Sequence, residues 1–199
     1  LQNKYPEIKM LEGIEIGYRS ETKNRTYEII KNHHFDLINL SIHESNRRDL
    51  YHPQAFKIYG IDTILNDYFK TMLEAVTIYP EFDVLSHIDY GFKTAYILDN
   101  NMRLSRYEEI ISKVLSVLIE RDKTLEINTK VQEFLPDDHL IYLLKLYKKL
   151  GGKHLTLSSD AHEAKRYCSS FDKYEKIIKD CGFNHLCYFV DRKRYEIEI

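Results

Sequence analysis

The sequence predicts an α/β fold with a mostly parallel sheet, open or closed into a barrel. Short strand-type runs alternate with longer helical patterns along the whole chain. Each strand run also splits by parity into an aliphatic face and a face of small polar groups. The polar set ends in Glu, His or Asp at or near the carboxyl end of its strand, the edge where active sites assemble in folds of this class.

The opening LQNKYPEIKMLEGIEIGY reads as the end of a helix entering a strand at Met10–Tyr18. In that strand Ile14 and Ile16 oppose Gly13, Glu15 and Gly17, and the two glycines leave room beside the carboxylate. A helix over Thr22–His33 leads to a strand at Leu37–His43, where Ile38, Leu40 and Ile42 oppose Asn39, Ser41 and His43. Glu44–Gly60 is the longest irregular piece, and long loops in compact domains are often functional. A helix at Asp62–Tyr79 precedes a strand at Val84–Asp89, with Val84, Ser86 and Ile88 against Leu85, His87 and Asp89. The next helix, Ser105–Arg121, starts on Ser105 and shows helical spacing in Val114, Leu115, Leu118 and Ile119. Strand Thr124–Asn128 sets Leu125 and Ile127 against Glu126 and Asn128. Pro136-Asp137-Asp138 starts a helix at Asp138–Leu150 with a Leu140, Leu143, Leu144, Tyr147 stripe, and Gly151-Gly152 stops it. Strand His154–Ser159 sets Leu155 and Leu157 against Thr156, Ser158 and Asp160, with His162 just beyond. A helix at Phe171–Cys181 and strands at Leu186–Val190 and Tyr195–Ile199 complete the chain. With no repeat, low-complexity tract or linker, residues 1–199 read as one domain.

Composition narrows the function. The 199 residues are 43% hydrophobic and 30% charged, enough apolar content for a real core. Twenty-nine Lys+Arg against 31 Asp+Glu give a charge of −2, so no basic surplus advertises a nucleic-acid partner. No apolar run approaches the ~18–20 residues of a bilayer span. Cys168, Cys181 and Cys187 form no CxxC pair and read as reduced thiols, buried apolar fillers, in a cytoplasmic protein. The absence of a GxxxxGK loop argues against an ATPase. Glu15, His43, His87, Asp160 and His162 fall at corresponding ends of four strands, and their convergence points to metal binding. Imidazole with carboxylate suits zinc, manganese or iron. A single His at a strand end is usually a hydrogen-bonded core or surface residue, and His52, His139, His154 and His185, which have no partner pattern, are read as structural or surface.

GIEIGY, INLSIHE, FDVLSHIDY, LEINT and LTLSSDAHE, in this order, resemble the PHP (polymerase and histidinol phosphatase) superfamily, most of all its histidinol-phosphatase branch. The resemblance implies a distorted (β/α)7 TIM-like barrel, here incomplete at the N-terminus, because the family's opening H-x-H strand has no counterpart in this sequence. It implies two or three divalent metal ions. Glu15 would bridge two of them, His43 and His87 would supply imidazoles, and Asp160 and His162 would form the C-terminal ligand pair. Asp89, Glu126 and Asn128 would orient ligands or line the pocket. The implied reaction is metal-assisted hydrolysis of a phosphate monoester, L-histidinol phosphate to L-histidinol and phosphate, in histidine biosynthesis. Glu15, Asp160 and His162 would be catalytic, and Arg47, Arg48, Lys93 and Arg106 are candidates to touch the phosphate or the rest of a small-molecule substrate. Alternatives are a PHP phosphoesterase acting on another small phosphate or on nucleotide ends, an inactive metal-binding fragment, and an amidohydrolase-type barrel hydrolase.

Overall fold

In chain order the strands are β1 (Gly13–Gly17), β2 (Leu37–Ser41), β3 (Glu44–Ser45), β4 (Arg48–Asp49), β5 (Val84–Leu85), β6 (Thr124–Asn128), β7 (Leu155–Ser158), β8 (His185–Val190) and β9 (Lys193–Glu198). The helices are α1 (Lys23–Asn32), α2 (Gln54–Tyr59), α3 (Ile61–Ile78), α4 (Tyr90–Leu98), α5 (Glu108–Glu120), α6 (Thr129–Gln132), α7 (Asp137–Lys149) and α8 (Phe171–Asp180). This computed structural model describes residues 2–199.

The main sheet is parallel throughout, in the order β1-β2-β5-β6-β7. All five carboxyl ends therefore open on one side. Among the described residues β1 and β7 end the sheet, so it is an open arc and not a closed barrel. The aliphatic parity set packs under the helices: Ile38, Leu40, Leu125 and Ile127 are buried in one core with Leu65, Phe69 and Met72 of α3 and Leu115 and Leu118 of α5. The spacing of these helical residues makes one apolar face, which is why the segments fold as helices against the sheet.

The β8–β9 hairpin is antiparallel and lies across the amino ends of the strands. At its turn, the Asp191 N–H donates to Asp36 just before β2, and the Arg192 guanidinium pairs at 2.5 Å with Asp83 just before β5. Cys187 and Phe189 bury against Leu37 and Val84 there.

Several sequence expectations change. The segment before β1 holds a short 3-10 turn at Gln2–Lys4, and pairing of β1 with β2 is confined to Gly13–Gly17. The expected strand Val84–Asp89 stops after Leu85. Glu44–Gly60 is not irregular but contains the β3–β4 hairpin and α2, and α4 forms where no element was expected. Cys168 is exposed, unlike the two other cysteines. No helix among the described residues is long and apolar enough to cross a membrane.

Gly152 is needed for a steric reason. A Cβ there would sit 2.3 Å from the ring of Tyr147, which is buried under the core. Gly152→Ala is expected to destabilise the fold by about 1–3 kcal/mol, the usual cost of overpacking. A shift of the urea midpoint measures it, and an unshifted midpoint would contradict the contact.

Candidate metal centre

Glu15 rises from the middle of β1, His43 follows β2 by two residues, and His87 follows β5 by two. Because β1, β2 and β5 are parallel neighbours, their exits lie side by side. Glu15 Oε1 is 3.1 Å from His43 Nε2 and 3.2 Å from His87 Nε2, and the two nitrogens are 3.4 Å apart. The imidazoles stack at 5.1 Å between centroids, and the Tyr90 ring leans over both at 4.9 and 5.0 Å. Gly17 flanks this group, since a Cβ there would meet His43 Nδ1 at 3.7 Å. Gly13 does not: its Cβ would face the Leu37 backbone.

His87 is held from two sides. Its N–H donates to Glu126 Oε2 at 2.8 Å, and the Tyr68 hydroxyl donates to the carbonyls of Ile88 (3.0 Å) and His87 (3.3 Å). Between these grips the backbone turns to φ +24°, a value a side-chain-bearing residue keeps only when its surroundings impose it. This turn ends the strand early and aims the imidazole at Glu15. Asn128 caps α6 through its side-chain oxygen, which accepts from the Val131 N–H, and its amide lies 3.4 Å from Glu126 Oε2. Asp89 points elsewhere. It is buried and accepts from Gln132 Nε2 at 2.5 Å, with His139 Nε2 at 3.1 Å, which pins the loop after β5 to α6 and α7. His139, read from sequence as structural or surface without a partner, is thus the buried partner of Asp89.

Electrostatics follow from these contacts. Burial alone would raise the Glu15 carboxyl, but the imidazoles of His43 and His87 hold it far below the usual carboxylate range. Burial pulls the His87 imidazole down, yet Glu15 and Glu126 outweigh it and push it up. Glu126 itself is raised by burial. Glu126→Gln should preserve the shape while weakening the grip on the His87 N–H. A loss of about 10- to 100-fold in metal affinity is expected, as for other partners that orient a ligand. Equilibrium dialysis against zinc would measure it, and unchanged affinity would deny Glu126 that role.

Two imidazole nitrogens and one carboxylate oxygen at 3.1–3.4 Å fit a single divalent ion, because tetrahedral bonds of ~2.0–2.2 Å set ligand atoms about 3.3–3.5 Å apart. Asn39 Oδ1 and His87 Nδ1 are also buried without a hydrogen-bond partner, so this sheet face has polar capacity to spare.

Asp160 turns away from β7 at φ +43°, with Oδ1 3.1 Å from His162 Nε2 and Oδ2 3.3 Å from Lys130 Nζ. Its charge is felt at His87, Tyr90 and Lys93, across the same mouth. The tight trio, however, is Glu15, His43 and His87; Asp160 and His162 form a neighbouring pair, with His162 largely exposed. A cleft of about 480 Å³ runs along the polar sheet face past Asn39, Glu126, Thr156 and Ser158 to Asp160.

The sequence profile of the PHP domain matches residues 1–130. The chain belongs to the PHP family. Among curated relatives, this PHP chain is 32% identical over 181 residues to a probable histidinol-phosphatase of Clostridium acetobutylicum, spanning 90% of this chain and 71% of that protein. It is 30% identical over 194 residues to the histidinol-phosphatase of Lactococcus lactis subsp. lactis, spanning 94% and 70%. Its fold superposes with a TM-score of 0.87, at 27% identity, on the crystal structure of histidinol phosphate phosphatase from the same Lactococcus lactis subspecies, complexed with zinc, L-histidinol and phosphate. The match covers 98% of this chain and 75% of that one.

Of the four basic residues considered for substrate, the PHP chain sets only Lys93 beside the trio, with Nζ 4.5 Å from the centroid of the Tyr90 ring. Arg48 is committed to Asp67 at 2.9 Å and stacks on Tyr59; Arg106 pairs with Asp62, and Arg47 reaches Glu21 from an exposed position. Each finds a carboxylate that local sequence could not indicate. Lys130, which sequence reasoning missed, stands beside Asp160. Its only sequence signal was its position two residues past Asn128 in the turn after LEINT.

Proposed function

We propose that this PHP chain hydrolyses L-histidinol phosphate to L-histidinol and phosphate, using two or three divalent ions with zinc the first candidate. The reading rests above all on one observation: Glu15, His43 and His87 present three donor atoms within 3.4 Å of one another at the strand exits. Asp160 and His162 are proposed to serve an adjoining position across the mouth. Bound there, divalent ions neutralise phosphate charge and make water nucleophilic at neutral pH.

The protein's own part is to hold and orient. The Glu15 carboxylate, kept ionised by two imidazoles, concentrates negative charge where cations are needed. Glu126 and Tyr68 fix the peptide that carries His87, so little reorganisation is required during reaction. Lys93 is half-buried among Tyr51, Tyr90 and Phe134, and burial and Lys130 pull its ammonium down. A phosphate dianion would relieve this unfavourable charge. The same aromatic rim offers flat surface to an imidazole-bearing substrate.

The test is phosphate release by the purified chain from L-histidinol phosphate, p-nitrophenyl phosphate and a nucleoside monophosphate. Turnover is expected to be fastest on L-histidinol phosphate, to vanish with a chelator and to return with zinc, manganese or iron. Equal rates on all three substrates would indicate a general phosphoesterase. Retained metal with no turnover on any would replace the enzyme reading with a binding one.

A further inference from the structure

A second group of metal-binding side chains lies at the opposite end of the sheet. His154 immediately precedes β7, while Cys187 of β8 and Glu196 of β9 are paired in register across the hairpin and so share one face. His154 Nδ1 is 3.2 Å from Glu196 Oε1 and 3.9 Å from Cys187 Sγ, and all three donors lie within 4.8 Å of one another. Asp160 lies six positions after His154, about 20 Å along an extended chain, so this group stands apart from the centre at the strand exits.

The surroundings prepare it. The His154 carbonyl accepts from Leu125 N–H at 3.0 Å and from the Tyr147 hydroxyl at 3.2 Å, which fixes the backbone. On the far side of the ring, Nε2 faces Asp122 Oδ1 at 3.4 Å, and Asp122 is clamped by Arg194 at 2.8 and 2.9 Å. With its proton on Nε2, the side facing that carboxylate, the ring would offer the Nδ1 lone pair on the side of the thiol and Glu196. This is the arrangement in which a carboxylate orients a metal-bound histidine.

We propose that His154, Cys187 and Glu196 form a second metal site, for a thiophilic divalent ion such as zinc, that ties the β8–β9 hairpin to the base of the sheet. A tetrahedral ion with one sulfur, one nitrogen and one oxygen ligand needs separations of about 3.3–3.6 Å. The two His154 separations of 3.2 and 3.9 Å bracket that range, while Cys187 and Glu196, within 4.8 Å, close by at most about an ångström. Cys187 binds as thiolate, and its proton leaves to the buffer. Cys187 is buried while Glu196 is half-exposed, so the fourth position opens to water.

Cobalt(II) distinguishes the two centres, because a thiolate-to-cobalt charge-transfer band in the near ultraviolet requires a cysteine ligand and the strand-exit centre has none. The intact chain is titrated with cobalt(II) and read by absorbance, with bound metal counted in parallel. The expected result is a saturable band whose final amplitude corresponds to one cobalt–thiolate bond per chain, which survives Cys168→Ser and Cys181→Ser and is lost in Cys187→Ser. Glu196→Gln, at a half-exposed strand position that tolerates change, should need at least ~10-fold more cobalt for half-saturation. Absence of the band when other cobalt is bound would mean that His154, Cys187 and Glu196 merely pack together without a metal. That outcome, or a band persisting in Cys187→Ser, overturns the site. Neither outcome bears on phosphatase activity.

Discussion

Glu15→Gln is expected to lower kcat/KM for L-histidinol phosphate by at least ~10³-fold, equivalent to about 4 kcal/mol of lost transition-state stabilisation. The amide keeps the size of the carboxylate and can still meet one imidazole, so folding should be nearly untouched. What disappears is the negative charge between His43 and His87, the charge those imidazoles hold far below the ordinary carboxylate range. Bound metal should fall together with turnover, by at least one ion per chain. Glu12→Gln is the control, since Glu12 is exposed, precedes β1 and lies outside the cluster. Metal analysis of both variants decides the matter: a Glu15→Gln protein with full metal content and full turnover would remove Glu15 from the centre.

His139→Leu is expected to cost about 3–5 kcal/mol of stability, because it takes the imidazole partner from a buried carboxylate and leaves it the Gln132 hydrogen bond. In a domain of this size that corresponds to a Tm lower by roughly 10 °C. The pH dependence carries a sign. In the native chain burial works to raise the Asp89 carboxyl, but the His139 contact and the Gln132 hydrogen bond prevail and set it below its ordinary value of 3.8. Its folded pKa is thus below the unfolded one, so it contributes stability above about pH 4 that is lost as the pH falls through the depressed value. Without His139, burial raises the carboxyl, and protonation then relieves the cost. The stability gap between the two proteins should therefore narrow from pH 7 toward pH 4. Urea denaturation at several pH values measures this, and a gap that stays constant would show that Asp89 is not the stranded group. Adding Asp89→Asn to His139→Leu should recover part of the loss at pH 7.

Much of the scaffold was legible in the strand alternation. Thr124–Asn128 forms where expected, and Ile38 and Leu40 bury on the helix side as their parity requires. The helices over Asp62–Tyr79 and Asp138–Leu150 shift by about one residue, since their apolar spacing is strong. The third strand was misread for an instructive reason. Alternation in Val84–Asp89 satisfies a strand pattern, but Tyr68 and Glu126, 19 and 39 residues from His87, bend the peptide at that residue. Parity put His87 on the polar face, whereas it is this turn, not continued strand geometry, that delivers its ring. Segment Tyr90–Leu98 gave no helical signal because Gly91, Phe92, Thr94 and Ala95, mixed in polarity, are all buried. The His139–Asp89 contact spans 50 residues and Lys130–Asp160 spans 30, distances over which spacing is mute.

The β3–β4 hairpin is tied to the scaffold by polar contacts along its length: Glu44 with Arg19, Ser45 with Thr71, Asn46 and Arg48 with Asp67, and Arg47 with Glu21. Leu50, next along, is fully buried in the core; its N–H donates to the His43 carbonyl at 3.1 Å and its carbonyl accepts from the Thr94 hydroxyl at 2.7 Å. Residues 44–49 thus form an appendage stapled at its foot by Leu50, and its outward side chains can be exchanged to remodel what the mouth admits while Leu50 keeps the His43 backbone in place.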